Sequence, residues 1–224
     1  MSNSAPLTTS DMVFANSTSQ NQVSAILSGA YPFPSDGKTA ICLYGTYGTG
    51  KTTYSHIFCR EFEQSASGED LGMMPHFISC QKTEAIDALL KPCERMTKHQ
   101  SFNKSGYHYF IFDEVDNLTE GGQKALKAFF NKTNVVCVLT TNYLDKLDKG
   151  LLDRCVRINF NAADTKSIRT RVQDILQSDG LNLEQDAIDE IVERSDGSWR
   201  EILPTVRMSA KSIAPPRPPL YLVK

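Results

Sequence analysis

The chain has 224 residues, 40% of them hydrophobic and 22% charged, with a formal net charge of −2, which allows one sizeable domain or two small ones and excludes a polycation that grips nucleic acid by net charge alone. No apolar run approaches the ~18 residues of a membrane span, and no basic-then-apolar leader opens the chain, so a soluble cytoplasmic or nucleoid-associated protein without a membrane partner is expected.

Residues 1–21, rich in Ser, Thr and Asn, read as a polar and mostly extended arm. A short helix over 22–27 and a turn-rich stretch over 28–37 follow. Thr39–Tyr44 (TAICLY) is a short apolar run with β-branched and aromatic residues, the pattern of a buried strand. After a glycine-rich turn, Thr52–Glu63 carries Tyr54, Ile57, Phe58 and Phe62 at helical spacing, and 64–68 reads as a loop. His76–Cys80 is a second strand. Thr83–Met96 has helical periodicity that Pro92 should kink or end. Tyr107–Phe112, Val135–Leu139 and Val156–Phe160 are three further strands, with a helix over Gly122–Phe130. Strands alternating with helices predict an α/β fold: a five-stranded parallel sheet with helices on both faces, over residues 22–161.

From residue 162 to 213 the pattern changes to three helices without strands, over 163–177, 183–194 and 198–210. Ser178-Asp179-Gly180 and Ser195-Asp196-Gly197 separate them, each placing glycine just past a helix end. Pro204 should bend the last helix. Residues 214–224 form a proline-rich tail, read as a solvated extended end or a docking peptide. The six cysteines form no C-x-x-C pair and read as reduced structural thiols. Cys80, Cys93, His99 and His108 lack the spacing of a zinc site.

The chemistry concentrates in Gly45-Thr46-Tyr47-Gly48-Thr49-Gly50-Lys51-Thr52, which fits G-x-x-x-x-G-K-[ST]. The glycines let backbone N–H groups turn inward around phosphates. Lys51 supplies a point charge for the β- and γ-phosphates, Thr52 a hydroxyl for Mg²⁺, and the next helix its positive N-terminal end. Strand, glycine turn and helix are the context this motif needs, so ATP with Mg²⁺ is the expected ligand. Tyr109-Phe110-Ile111-Phe112-Asp113-Glu114 is an apolar strand ending in two carboxylates. Asp113 suits the Mg²⁺ shell and Glu114 the polarisation of an attacking water. Val138–Asn142 ends in polar residues at the same sheet edge, where Asn142 could hydrogen-bond the γ-phosphate or the water. Arg154 stands in an apolar context just before the last strand.

Together these features resemble the AAA+ ATPases, and among them the clamp-loader subunits of the replication factor C and phage type. The resemblance rests on residues 45–53 (Thr53 included), Asp113-Glu114-Val115-Asp116, Gln123-Lys124-Ala125-Leu126, Thr141-Asn142-Tyr143, Asp153-Arg154-Cys155 and Gly197-Ser198-Trp199-Arg200, and covers roughly 13–208. It implies that Asn142 is the first sensor and that Arg154 is an arginine finger reaching a neighbouring subunit's ATP. It also implies that Arg200 is the second sensor, on a helical lid. It further implies self-association into a ring, open spiral or hetero-oligomer, contact with DNA, and a protein client such as a clamp or helicase.

Three departures stand out, one of them Ser198-Trp199 where Asp and a smaller residue are common before the sensor arginine. Asp153 replaces the family's usual serine and could pair with Arg154 at rest, and the chain ends before the third, collar domain that such clamp loaders carry. The leading expectation is an ATPase of clamp-loader-like or helicase-loader-like role in replication or mobile-element DNA handling. A small-molecule phosphotransferase and a slow-turnover, ATP-shaped scaffold are the alternatives; phosphate release with and without DNA separates the three.

Overall fold

The computed structural model describes residues 5–81 and 86–212. The chain divides between Ala163 and Asp164. In the first unit the elements are α1 (Ser17–Leu27), β1 (Ala40–Tyr44), α2 (Lys51–Ser67), β2 (His76–Ser79), α3 (Ile86–Met96) and β3 (His108–Asp113). They continue with α4 (Glu120–Phe129), β4 (Val135–Thr141), α5 (Lys149–Asp153) and β5 (Cys155–Asn159). The five strands form one parallel sheet in the order β2-β3-β4-β1-β5.

Alternation along the strands sorts their side chains onto two faces. Ala40 and Cys42 of β1 join Phe110, Phe112, Cys137 and Leu139 in a cluster completed by Leu90, Leu126, Phe129 and Leu151 from α3, α4 and α5. Ile41 and Leu43 join Tyr109, Ile111, Val136 and Val138 in a second cluster with Val23, Ile26, Tyr54, Phe58 and Phe62 from α1 and α2. Every residue of β4 is buried, as the centre of a sheet covered on both faces requires. All six cysteines are free and buried, and burial pushes the Cys42 thiol up to about 12 and Cys93 to about 11.

The arm reading of 1–21 is corrected from Pro6 onward. Asn16 caps α1 by accepting from the Ser19 N–H at 2.9 Å, so the helix starts at Ser17. The preceding segment packs on the unit: Thr9 donates its N–H to Glu61 at 2.9 Å, and Phe14 sits edge-on to Tyr54 and Phe160. The predicted loop at 64–68 is the last turn of α2, which stops at Gly68 in the left-handed region (φ 76°). α3 continues through Pro92 rather than ending there; residues 83–85 of the predicted helix lie outside the described residues. α5, five residues capped by Asp148, has no counterpart among the expected elements.

The second unit contains α6 (Thr165–Ser178), α7 (Gln185–Arg194) and α8 (Trp199–Ser209). Ile168, Val172, Ile175, Leu176, Ile188, Val192, Ile202 and Val206 are its buried apolar side chains among the described residues. Arg169 pairs with Asp189 at 2.5 Å and Arg207 with Asp179 at 3.1 Å. Contrary to the strandless expectation, β6 (Leu181–Asn182) and β7 (Lys211–Ser212) form a two-residue antiparallel pair. Pro204 lies within α8. The proline-rich tail at 214–224 lies outside the described residues. Among the described residues no helix is long and apolar enough to cross a membrane.

Candidate nucleotide site

The strand order brings together residues that are far apart in sequence. β4 lies between β1 and β3, so the loop after β1, the carboxylates ending β3 and the polar end of β4 share the carboxyl edge of the sheet. Ligands of open α/β sheets collect at that edge.

The loop from Gly45 to Gly50 needs its glycines. Gly45 has φ 155°, and a Cβ there would run into the backbone of Phe160 and Asn161 at the end of β5. Gly48 and Gly50 have φ 75° and 97°, and Gly50 is the left-handed residue from which α2 starts. Side chains brace the turn: Thr49 Oγ1 donates to the Thr46 carbonyl at 3.0 Å, and the Thr46 N–H donates to Asn161 Oδ1 at 3.0 Å. Lys51, 8% exposed, donates its ammonium to the carbonyls of Gly45 and Thr46 at 2.9 and 2.6 Å. A nearly buried cation beside a glycine loop at a helix N-terminus has the chemistry of an anion site. Thr53, next in α2, is exposed.

A chain of hydroxyls and carboxylates connects this loop to β3 and β4. Thr52 Oγ1 donates to Asp113 Oδ1 at 2.8 Å, and Thr140 Oγ1 donates to the same oxygen at 2.7 Å. The Thr140 oxygen also accepts from the Glu114 N–H at 3.0 Å. Glu114 adopts φ 58°, which turns its exposed carboxylate off the strand; Asn117 Nδ2 donates to its Oε2 at 3.2 Å. One residue beyond β4, the Asn142 N–H donates to Asp116 Oδ1 at 3.3 Å, an oxygen that also accepts from Thr141 Oγ1 at 2.7 Å. The structure therefore brings together the phosphate loop, Asp113, Glu114 and Asn142. The sequence places Thr140 and Asp116 in the right segments but assigns neither a role; in the structure Thr140 holds Asp113 and Glu114, and Asp116 holds Asn142.

The donor set suits Mg²⁺. A threonine hydroxyl and an aspartate oxygen 2.8 Å apart are hard ligands, and Mg²⁺ takes one or two of these plus phosphates and water. No group of three or more His, Cys, Asp or Glu able to hold an ion occurs among the described residues.

Arg154 lies elsewhere. It follows α5 and precedes β5, and its carbonyl accepts from the Thr39 and Ala40 N–H groups at 3.2 and 3.3 Å, at the amino end of β1. Five strand residues at about 3.3 Å each, roughly 16 Å, separate that edge from the phosphate loop of the same chain. Its Nε donates to Asn131 Oδ1 at 3.0 Å and its Nη1 to the Gly150 carbonyl at 2.9 Å. The expected resting pair with Asp153 is not formed among the described residues: Arg154 bonds back along its own helix, while the Asp153 carbonyl accepts from Lys38 at 2.5 Å. Arg200 belongs to the second unit, exposed in the first turn of α8.

Residues 41–162, more than half of the chain, match the model of the ATPase family associated with various cellular activities (AAA). The chain belongs to this family. It is 29% identical over 175 residues to replication factor C subunit 3 of Saccharomyces cerevisiae, covering 76% of this chain and 50% of the relative. It is 28% identical over 181 residues to replication factor C subunit 5 of Mus musculus, covering 80% and 52%. It is 26% identical over 172 residues to replication factor C small subunit 1 of Pyrobaculum arsenaticum, covering 76% and 51%. The chain thus spans about half the length of these relatives. Among solved structures, a variant of Thermotoga maritima RuvB is similar in fold, with TM-score 0.69 and 15% identity over 92% of this chain and 64% of that one.

Proposed function

We propose that this AAA protein binds ATP with Mg²⁺ in the Gly45–Thr53 loop and hydrolyses it in an oligomer, as a clamp-loader-like or helicase-loader-like machine that acts on DNA through a protein client. The observation that carries the reading is the unbroken chain Thr52–Asp113–Thr140–Glu114, which fixes the Asp113 carboxylate and the Glu114 main chain beside a phosphate-type loop.

Lys51 exchanges its loop carbonyls for phosphate oxygens, and the glycine-loop N–H groups and the start of α2 cradle the remaining charge. Thr52 and Asp113 would hold Mg²⁺, which would supply charge neutralisation on the phosphates. Glu114 orients a water and takes up its proton as the water oxygen bonds to the γ-phosphorus. The bond from that phosphorus to the bridging oxygen breaks, and ADP leaves. Asn142 contacts the γ-phosphate or the water. Arg154, about 16 Å along the strands from its own loop, stabilises charge at the site of a neighbouring copy. Arg200 acts as a second sensor from the helical unit. DNA and a client such as a clamp or helicase enter from the likeness to proteins named as replication factor C subunits, which are by name parts of a replication factor.

The test is phosphate release from ATP and Mg²⁺, paired with equilibrium nucleotide binding. Lys51→Ala should lose both. Glu114→Gln should keep binding and lose turnover by about a hundredfold or more. Unchanged binding in Lys51→Ala would place the nucleotide elsewhere on the protein.

A further inference from the structure

Two exposed tyrosines meet above the phosphate loop. Tyr47, in the loop itself, donates its hydroxyl to that of Tyr143 at 2.8 Å, and the rings meet edge to face at 6.2 Å. Tyr143 follows Asn142 directly. Its N–H donates to Thr141 Oγ1 at 3.0 Å, and the Lys146 ammonium sits 3.4 Å from its ring centroid. An exposed phenol, 57% accessible at Tyr47, would ordinarily sample several rotamers; here a hydroxyl bridge selects one. The bridge pushes the Tyr47 phenol up to about 12.

The backbone of Asn142 is thus held from two sides. Asp116 binds its N–H from the β3 side, and Tyr143 is fastened to the phosphate loop. The Asn142 side chain makes no hydrogen bond among the described residues, so its aim depends on those backbone anchors. We propose that Tyr47 is a positioning residue: through Tyr143 it sets Asn142 against the γ-phosphate end of the loop. This rests on the ATPase reading above. Phosphates are gripped by the backbone N–H groups of the loop, which a phenylalanine at 47 retains. Loss of the phenol oxygen therefore falls on turnover and spares binding.

The experiment compares Tyr47→Phe, Tyr143→Phe and the double variant for phosphate release and for equilibrium ATP binding. One lost hydrogen bond predicts a kcat lower by about three- to tenfold in each single variant, with KM and nucleotide Kd within about twofold. The double variant should be no slower than either single one, because both remove the same bond. Ultraviolet titration of Tyr143→Phe should move one phenol from about 12 toward its ordinary value of 10.0. Unchanged kcat, additive losses, or weaker binding that accounts for the loss would each overturn the assignment. If the unaltered protein releases no phosphate, this inference falls with the ATPase reading; if it does and the variants match it, only this inference falls.

Discussion

Thr140→Val probes the hydroxyl that joins Asp113 to Glu114. Thr140 is 2% exposed, and valine matches its shape, so the substitution opens no cavity and removes one oxygen with two hydrogen bonds. A bond to a carboxylate is worth about 1.5–3 kcal/mol and one from an amide about 1 kcal/mol. Asp113 is half-buried and keeps Thr52, and Glu114 is exposed, so water recovers part of this. A net loss of about 1–3 kcal/mol follows, which for a unit of this size lowers Tm by roughly 3–10 °C. Turnover should fall further than stability, by about tenfold or more, because the Asp113 carboxylate and the Glu114 main chain lose their shared anchor. Thr140→Ser keeps the oxygen and should stay near the unaltered protein. Circular dichroism melts and phosphate release decide the matter. A valine variant with unchanged Tm and turnover, or a serine variant as damaged as the valine one, would refute the reasoning.

Glu63→Gln should destabilise the first unit by about 2–4 kcal/mol in chemical denaturation, because a buried carboxylate there accepts from the Ser105 N–H and hydroxyl, Tyr109 OH and Ser67 hydroxyl. Burial alone would raise the Glu63 pKa; those hydrogen bonds outweigh it and hold the group below its ordinary 4.5. Its contribution is therefore present above that value and lost as pH falls through the lower, folded-state one, so the gap between unaltered protein and Glu63→Gln should close in acid. Gly45→Ala should abolish nucleotide binding and lower Tm, since its Cβ meets backbone at Phe160 and Asn161 and φ is 155°; normal binding and Tm would contradict the loop geometry.

Features encoded locally were legible in the sequence. The phosphate loop, the strand before it and the acidic strand end are each a run of adjacent residues whose pattern states their conformation. Thr140 was not legible, because its importance comes from the non-sequential strand order that places β4 between β1 and β3. The same holds for Tyr47 and Tyr143, 96 residues apart. The N-terminal segment misled for a related reason. Its polar composition reads as solvated, yet Thr9 finds Glu61, 52 residues on, and Phe14 finds a place between Tyr54 and Phe160. The two-residue pair β6–β7 and the single turn and a half of α5 are too short for periodicity to register. The pairing that Asp153 could have made with Arg154 is absent among the described residues because neighbouring residues at a helix end point apart, and the guanidinium folds back along α5.

In the proposed mechanism ATP is hydrolysed between copies, with Glu114 from one and Arg154 from the next. Phosphate release from an equimolar mixture of Arg154→Ala and Glu114→Gln proteins tests it most directly. Each variant alone should be nearly inactive, and the mixture should recover a measurable fraction of the unaltered rate, since some interfaces then pair an intact Glu114 with an intact Arg154. A mixture no faster than the average of its two components would contradict the account.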